Sequence, residues 1–193
     1  MAQARLAANQ KNARRTGWAV IFVDETGHTF LARFGTTWAP KGHPPVLRRV
    51  SKRREVSTIA GLVAPLGRPA RLYARHFRGS VHWQQVIEAL RYFRRHVGCP
   101  LIVVWDRLNA HRATPVQAFV AAHPEDYRIE WLPPYAPDLN PEELCNGAVK
   151  RALQNAVPGS VDDLHRLART GFRRLGRQPT VLQRFFQHVG LAC

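Results

Sequence analysis

The chain has 193 residues, 45% of them hydrophobic, which suits one domain with a real core and leaves little room for a second. It carries 29 Lys plus Arg against 13 Asp plus Glu, for a formal net charge of +16, and only Lys11, Lys41, Lys52 and Lys150 are lysines. Guanidinium groups bind phosphate bidentately, so this balance fits a nucleic-acid partner, although a genome rich in Arg codons gives the same composition.

Residues 1–17 read as a basic arm or linker remnant, with the folded domain expected over 18–193. Trp18 to Asp24 reads as the first strand, Glu25-Thr26-Gly27-His28 as a turn, and Thr29 to Phe34 as a return. A loop at Gly35 to Pro45 carries Trp38 and Lys41, and the basic run Arg48, Arg49, Lys52, Arg53 and Arg54 follows. Glu55 to Ala64 reads as a strand, and Ala70 to Phe77 as another. Ser80 is the expected N-cap of a helix to His96, closed by Gly98 and followed by Pro100. Leu101 to Asp106 is the most apolar strand and is therefore expected at the centre of the sheet. Pro115 opens a short helix to about Ala122, Arg128 to Leu132 is a strand, and Pro141 opens a helix to about Ala156. Two further helices, Val161 to Leu175 and Thr180 to Val189, end the chain. Strands first and alternation afterwards predict an α/β fold: a mixed sheet, three antiparallel strands then parallel ones, flanked by helices.

Cys99, Cys145 and Cys193 form no CxxC pair or disulfide framework, so a reducing cytoplasm is expected. Met1 to Arg15 lacks the apolar segment of a secretory leader, and no stretch has membrane-spanning length.

Two apolar runs end in carboxylates, Ala19–Val23 in Asp24 and Leu101–Trp105 in Asp106. A third acidic position, Glu142 or Glu143, follows the turn Pro133-Pro134-Tyr135-Ala136-Pro137. Converging carboxylates in a strongly positive chain suggest a divalent metal site facing a polyanion, hence phosphodiester chemistry. Each residue also has a plainer explanation. Asp24 suits the start of a turn, and Asp106 suits a cap on the turn after its strand. Asn140, Pro141 and Glu143 make a good helix N-terminus, and helical spacing does not choose between the two glutamates. His111 either positions a carboxylate, touches phosphate or is structural, and Lys150 either meets phosphate or is solvated.

Four segments together change that balance. They are Val23-Asp24-Glu25-Thr26-Gly27, Thr37-Trp38-Ala39-Pro40-Lys41-Gly42, Val104-Trp105-Asp106-Arg107-Leu108-Asn109-Ala110-His111-Arg112, and Pro134-Tyr135-Ala136-Pro137-Asp138-Leu139-Asn140-Pro141-Glu142-Glu143. In this order they resemble the catalytic domain of DDE transposases, in the insertion-sequence-630 group of the mariner-like superfamily. The resemblance runs from about Trp18 to the closing Phe185-Phe186-Gln187-His188-Val189-Gly190-Leu191.

The resemblance implies a ribonuclease H-like fold, in which the first and fourth strands are neighbours and set Asp24 beside Asp106. It implies Asp24, Asp106 and Glu143 as catalytic metal ligands, with Glu142 as fallback, holding two Mg²⁺ ions or Mn²⁺ in their place. The 36 residues 107 to 142 between Asp106 and Glu143 are close to the family's gap. DNA contacts are expected from Lys41, Arg48, Arg49, Lys52, Arg53, Arg54, Arg107, His111, Arg112, Lys150 and Arg151. Transposon-end and target DNA are the implied partners, with a homodimer forming on DNA in a bacterial cytoplasm, near the nucleoid.

The chain departs from the family in two ways. Asn146 and then Gly147 stand where the family has a Trp three residues after the catalytic Glu, which predicts a less firmly held helix. Only 17 residues precede the first strand, so a separately encoded helix-turn-helix half is expected, or else a decayed DNA-binding remnant. Another ribonuclease H-like nuclease, such as a resolvase, is the rival enzyme. An RNA-binding role lacks a stacking motif.

Overall fold

Along the first strand Val20 and Phe22 face one way and Ile21 and Val23 the other, and each set is buried in its own core. That period of two forces helices onto both faces of the sheet. The computed structural model describes residues 12–13, 15–30, 38–43, 46, 55–64, 67–133 and 137–191. Among them are strands β1 (Ala19–Thr29), β2 (Glu55–Val63), β3 (Arg71–Arg78), β4 (Leu101–Trp105) and β5 (Tyr127–Trp131). The helices are α1 (Trp83–Val97), α2 (Thr114–Ala121), α3 (Pro141–Ala152), α4 (Val161–Gly176) and α5 (Pro179–His188), with a 3₁₀ turn at Pro137–Leu139.

The sheet order is β3-β2-β1-β4-β5. β1 pairs antiparallel with β2, β2 antiparallel with β3, β1 parallel with β4, and β4 parallel with β5. This is the expected mixed sheet, with the first and fourth strands adjacent. α1 and α2 cover Ile21, Val23, Ile59, Val103 and Trp105. α3, α4 and α5 cover Val20, Phe22, Ala60, Leu62 and Val104 through Cys145, Val149, Phe172, Leu182 and Phe186. Ala13 is also buried in this second core, so the N-terminal segment is anchored at that residue.

Several local expectations change. Glu25-Thr26-Gly27-His28 is not a turn. β1 continues through it in unbroken register, Glu25 opposite Ile59 and Thr29 opposite Glu55, and it buries Thr26 and His28. Pairing with β2 overrides the turn preference of the residue types. The expected return strand lies mainly at 31–34, outside the described residues, as do Arg48, Arg49, Lys52, Arg53 and Arg54. β1, not β4, is the middle strand; β4 reads as more apolar because both its faces are covered over its whole length. α1 starts after His82, whose N–H is capped by Gln85 Oε1 at 3.0 Å, while the Ser80 hydroxyl donates to Glu55. α3 stops at Ala152, short of Ala156.

Candidate active site

The parallel pairing of β1 with β4 runs to Phe22 opposite Val104, and two residues further along each chain stand Asp24 and Asp106. Asp24 still lies within β1, paired to Ala60, whereas Asp106 is the first residue past β4. The carboxylates therefore meet where one strand outlasts its neighbour, at the C-terminal ends of parallel strands, where open α/β sheets place ligands.

α3 is pinned beside them. Asn140 caps it, accepting from the Glu142 N–H at 3.1 Å, and donates its own amide to the Val23 carbonyl at 3.3 Å. Pro141 occupies the first helical turn. The two glutamates separate at this point. Glu142 is wholly buried, and Glu143 is exposed. Burial, then the charges of Asp24 and Glu143, push the Glu142 carboxyl well above its ordinary range. Burial also raises Glu143, helped by the charges of Asp24, Asp106 and Asp138 and opposed by Lys150. No described residue hydrogen-bonds the Glu143 carboxylate, which leaves its oxygens free.

Asn146 links the buried carboxyls. Its Nδ2 donates to Asp24 Oδ2 at 2.9 Å and to Glu142 Oε2 at 2.6 Å. Cys145 and Val149 of the same helix lie in the core below. Burial raises the Asp24 carboxyl and the Asp106 charge adds to it, while the Glu25 N–H and Asn146 pull the other way.

Asp106 is held differently. Its Oδ1 accepts from the Leu108 N–H at 3.1 Å and from His111 Nδ1 at 2.8 Å. Burial opposes its charge, but these bonds outweigh burial and keep its pKa below the usual value. His111 also donates from Nε2 to Glu25 Oε1 at 2.9 Å and stacks on Trp105 at 4.3 Å between ring centroids. Burial would discharge the ring, yet the bonds to Asp106 and Glu25 raise it to about 9, so it is an imidazolium clamped between two carboxylates. Being 1% exposed, His111 is not placed to touch DNA. Its two ring nitrogens bond Asp106 and Glu25.

Among the described residues, no three His, Cys, Asp or Glu side chains form a ready-made metal cage. The donor chemistry nevertheless fits a hard divalent cation. Asp106 Oδ2 and Glu143 take no hydrogen bond from described residues, and burial first, then neighbouring carboxylate charges, raises the pKa of Asp24 and Glu143. Lys41, Arg107, Arg112, Lys150 and Arg151 are all exposed. Arg107 and Arg112 border a cavity of about 400 Å³ beside Trp105, and Lys150 and Arg151 border one of about 530 Å³ beside His28.

Sequence reasoning found Asn140 as the cap of this helix but missed its bond to Val23, the bonds of Asn146 and the part of Glu25. The Glu142–Asn146 spacing of one helical turn was a readable signal. Nothing local pairs Glu25 with His111, 86 residues away.

The sheet order and the helices on its two faces define a ribonuclease H-like fold. The sequence pattern of the DDE superfamily endonucleases matches residues 19–165, and the chain belongs to that family. Among solved structures, the Mos1 mariner paired-end complex with Mn resembles it at a TM-score of 0.67 and 14% identity, covering 97% of this chain and 57% of that one. The Mos1 strand transfer complex gives 0.61 and 16%, covering 98% and 58%. The catalytic domain of Mos1 mariner transposase gives 0.59 and 14%, covering 98% and 90%. The chain thus spans about three fifths of the longer transposase chains, and nearly all of the separate catalytic domain. No curated protein matches it in sequence.

Proposed function

We propose that the chain is the catalytic domain of a transposase, in the insertion-sequence-630 branch, that cuts DNA strands at the ends of a mobile element and joins them to target DNA. The observation that carries this reading is the β1–β4 register, which sets Asp24 beside Asp106 under the exposed Glu143. These three are the proposed metal ligands, for two Mg²⁺ or Mn²⁺ ions, with Glu142 a buried support. Mn and Mg each occur in a Mos1 complex of the same fold. Divalent metal bound there would supply Lewis-acid polarisation of the phosphodiester and a more acidic attacking water.

The chain's own residues do the rest. His111 fixes Asp106 through Oδ1 and leaves Oδ2 outward. Asn146 fixes Asp24 through Oδ2. Lys150, Arg151, Arg107 and Arg112 would hold phosphates with little base preference. Paired-end complexes of Mos1 support transposon-end DNA as substrate, and a homodimer on DNA with a helix-turn-helix half completes the proposed assembly.

The test is nicking and joining of a labelled donor duplex with Mg²⁺ or Mn²⁺, with and without a helix-turn-helix half. Wild type should cut and join. Asp106→Asn and Glu143→Gln should abolish both, while Glu142→Gln, which keeps the shape of a buried supporting side chain, should keep cutting at a reduced rate. Cutting without joining would identify a simple nuclease. DNA binding without cutting under either condition would identify a binding remnant.

A further inference from the structure

Four residues of α4 repeat every fourth position: His165, Arg169, Arg173 and, at the C-cap, Arg177. At 1.5 Å per residue they form a ladder with a step of about 6 Å along one helix face. That face lines a groove of about 600 Å³ against β3, the edge strand of the sheet, and the lining includes no acidic residue. Neighbouring arginines differ. Arg75 pairs with Glu88, Arg78 with Asp162, Arg94 with Asp126 and Arg166 with Asp163. Arg169, Arg173 and Arg177 pair with no acidic group among the described residues. His76, on the β3 side, feels this field: burial first, then His165, His28, Arg169 and Arg75, hold its ring neutral. Helix-end electrostatics account for cations in the last turn, but not for His165 and Arg169 in the middle of the helix.

The groove is not part of the carboxylate site. Asp24 pairs with Ala60, which pairs with Ala74 on β3, so the groove lies at least two strand spacings away, about 10 Å. A row of unneutralised guanidinium groups at regular steps along an open edge suits a run of phosphates better than a compact anion, which a converging cluster would hold.

We propose that the groove between α4 and β3 is a second DNA track, which grips the sugar–phosphate backbone of a duplex to the side of the carboxylate centre. Arg169, Arg173 and Arg177 bind the phosphates, and gripping the backbone alone makes the hold independent of sequence. This rests on the proposed DNA-processing function, but it is read by binding rather than by cutting.

The experiment is a salt titration of binding to a duplex of arbitrary sequence. It compares wild type with Arg169→Gln/Arg173→Gln/Arg177→Gln and with a control of equal charge loss, Arg68→Gln/Arg95→Gln/Arg184→Gln. Every phosphate that is no longer neutralised should reduce the slope of log K against log salt by about 0.9, so the slope of the groove variant should fall by about 2 to 3 and that of the control by less than about 1. Hydrogen exchange should slow in β3 and α4 of wild type on adding the duplex. Equal slopes in the two variants, or an unchanged slope in the groove variant, would overturn the proposal. Absence of cutting by a wild-type chain that still shows the groove-dependent slope would sink the transposase reading and leave the groove standing. Circular dichroism of both variants, which change exposed side chains only, confirms that they fold.

Discussion

At the scale of single residues, the site depends on amides and an imidazolium that hold carboxylates in place. Asn146 is 4% exposed and satisfies one oxygen each of Asp24 and Glu142. Replacing it by Ala leaves the buried Glu142 carboxyl with no donor among the described residues and Asp24 with the Glu25 N–H. Asn146→Ala should cost about 1–3 kcal/mol in denaturant unfolding and weaken divalent-metal binding by about 10–100-fold in calorimetric titration, as losing a group that orients a ligand does. Unchanged values in both would show that the amide is incidental. His111 holds Asp106 in the same manner from the opposite face of the sheet. His111→Phe keeps a ring against Trp105 but removes both donors, so cutting should fall by about 10–100-fold while the Asp24 side stays ordered. Single-turnover rates measured against metal concentration separate a loss of metal affinity from a loss of chemistry.

At the scale of elements, α3 carries the one clear defect. Gly147 lies inside the helix, where glycine costs about 1 kcal/mol relative to Ala. A Cβ there would meet only the Arg151 guanidinium at 3.3 Å, the movable tip of a long side chain. Gly147→Ala should therefore stabilise the protein by about 0.5–1 kcal/mol and raise Tm by about 1–4 °C. A lower Tm would mean that Arg151 is fixed by more than its own helix. The start of α3 was legible because caps are local: Asn140, Pro141 and two acidic residues announce it. The choice between Glu142 and Glu143 was not legible from spacing, because it depends on which one β1 covers, and β1 is more than a hundred residues away. The extent of β1 was hidden for a similar reason. Glu25-Thr26-Gly27-His28 has turn chemistry, and only the partner strand makes it extended. The adjacency of the first and fourth strands, by contrast, was expected because the resemblance implies a ribonuclease H-like fold, and the parallel pairing of β1 with β4 agrees with it.

At the scale of the whole molecule, the histidines set the pH range of stability. Burial, then Lys150, lowers His28 to about 4, and burial with neighbouring cations lowers His76 to about 4. Both are bases with depressed folded pKa values, so the unfolded chain binds their protons first. Their contribution is complete above about 6.5, the unfolded value, and is lost as pH falls toward 4. His111 works in the opposite direction: raised to about 9, it contributes fully below about 6.5 and loses that contribution as pH rises through 9. The two limbs meet near pH 6.5, and the raised carboxyls of Asp24, Glu142 and Glu143 tilt the balance toward acid. His28 can be isolated. Its Nε2 is buried with no hydrogen-bond partner among the described residues, and its ring packs edge-on against Phe172 at 6.1 Å, so a phenyl ring can take its place. His28→Phe removes one proton from the unfolding equilibrium. Between pH 6 and 4.5 its stability should fall less steeply than that of wild type, by about 1.4 kcal/mol per pH unit, while at pH 8 it should equal or exceed wild type. Urea midpoints measured across that range decide the matter. Parallel acid limbs in the two proteins would mean that His28 is already charged in the folded core, and that the acid lability comes from elsewhere.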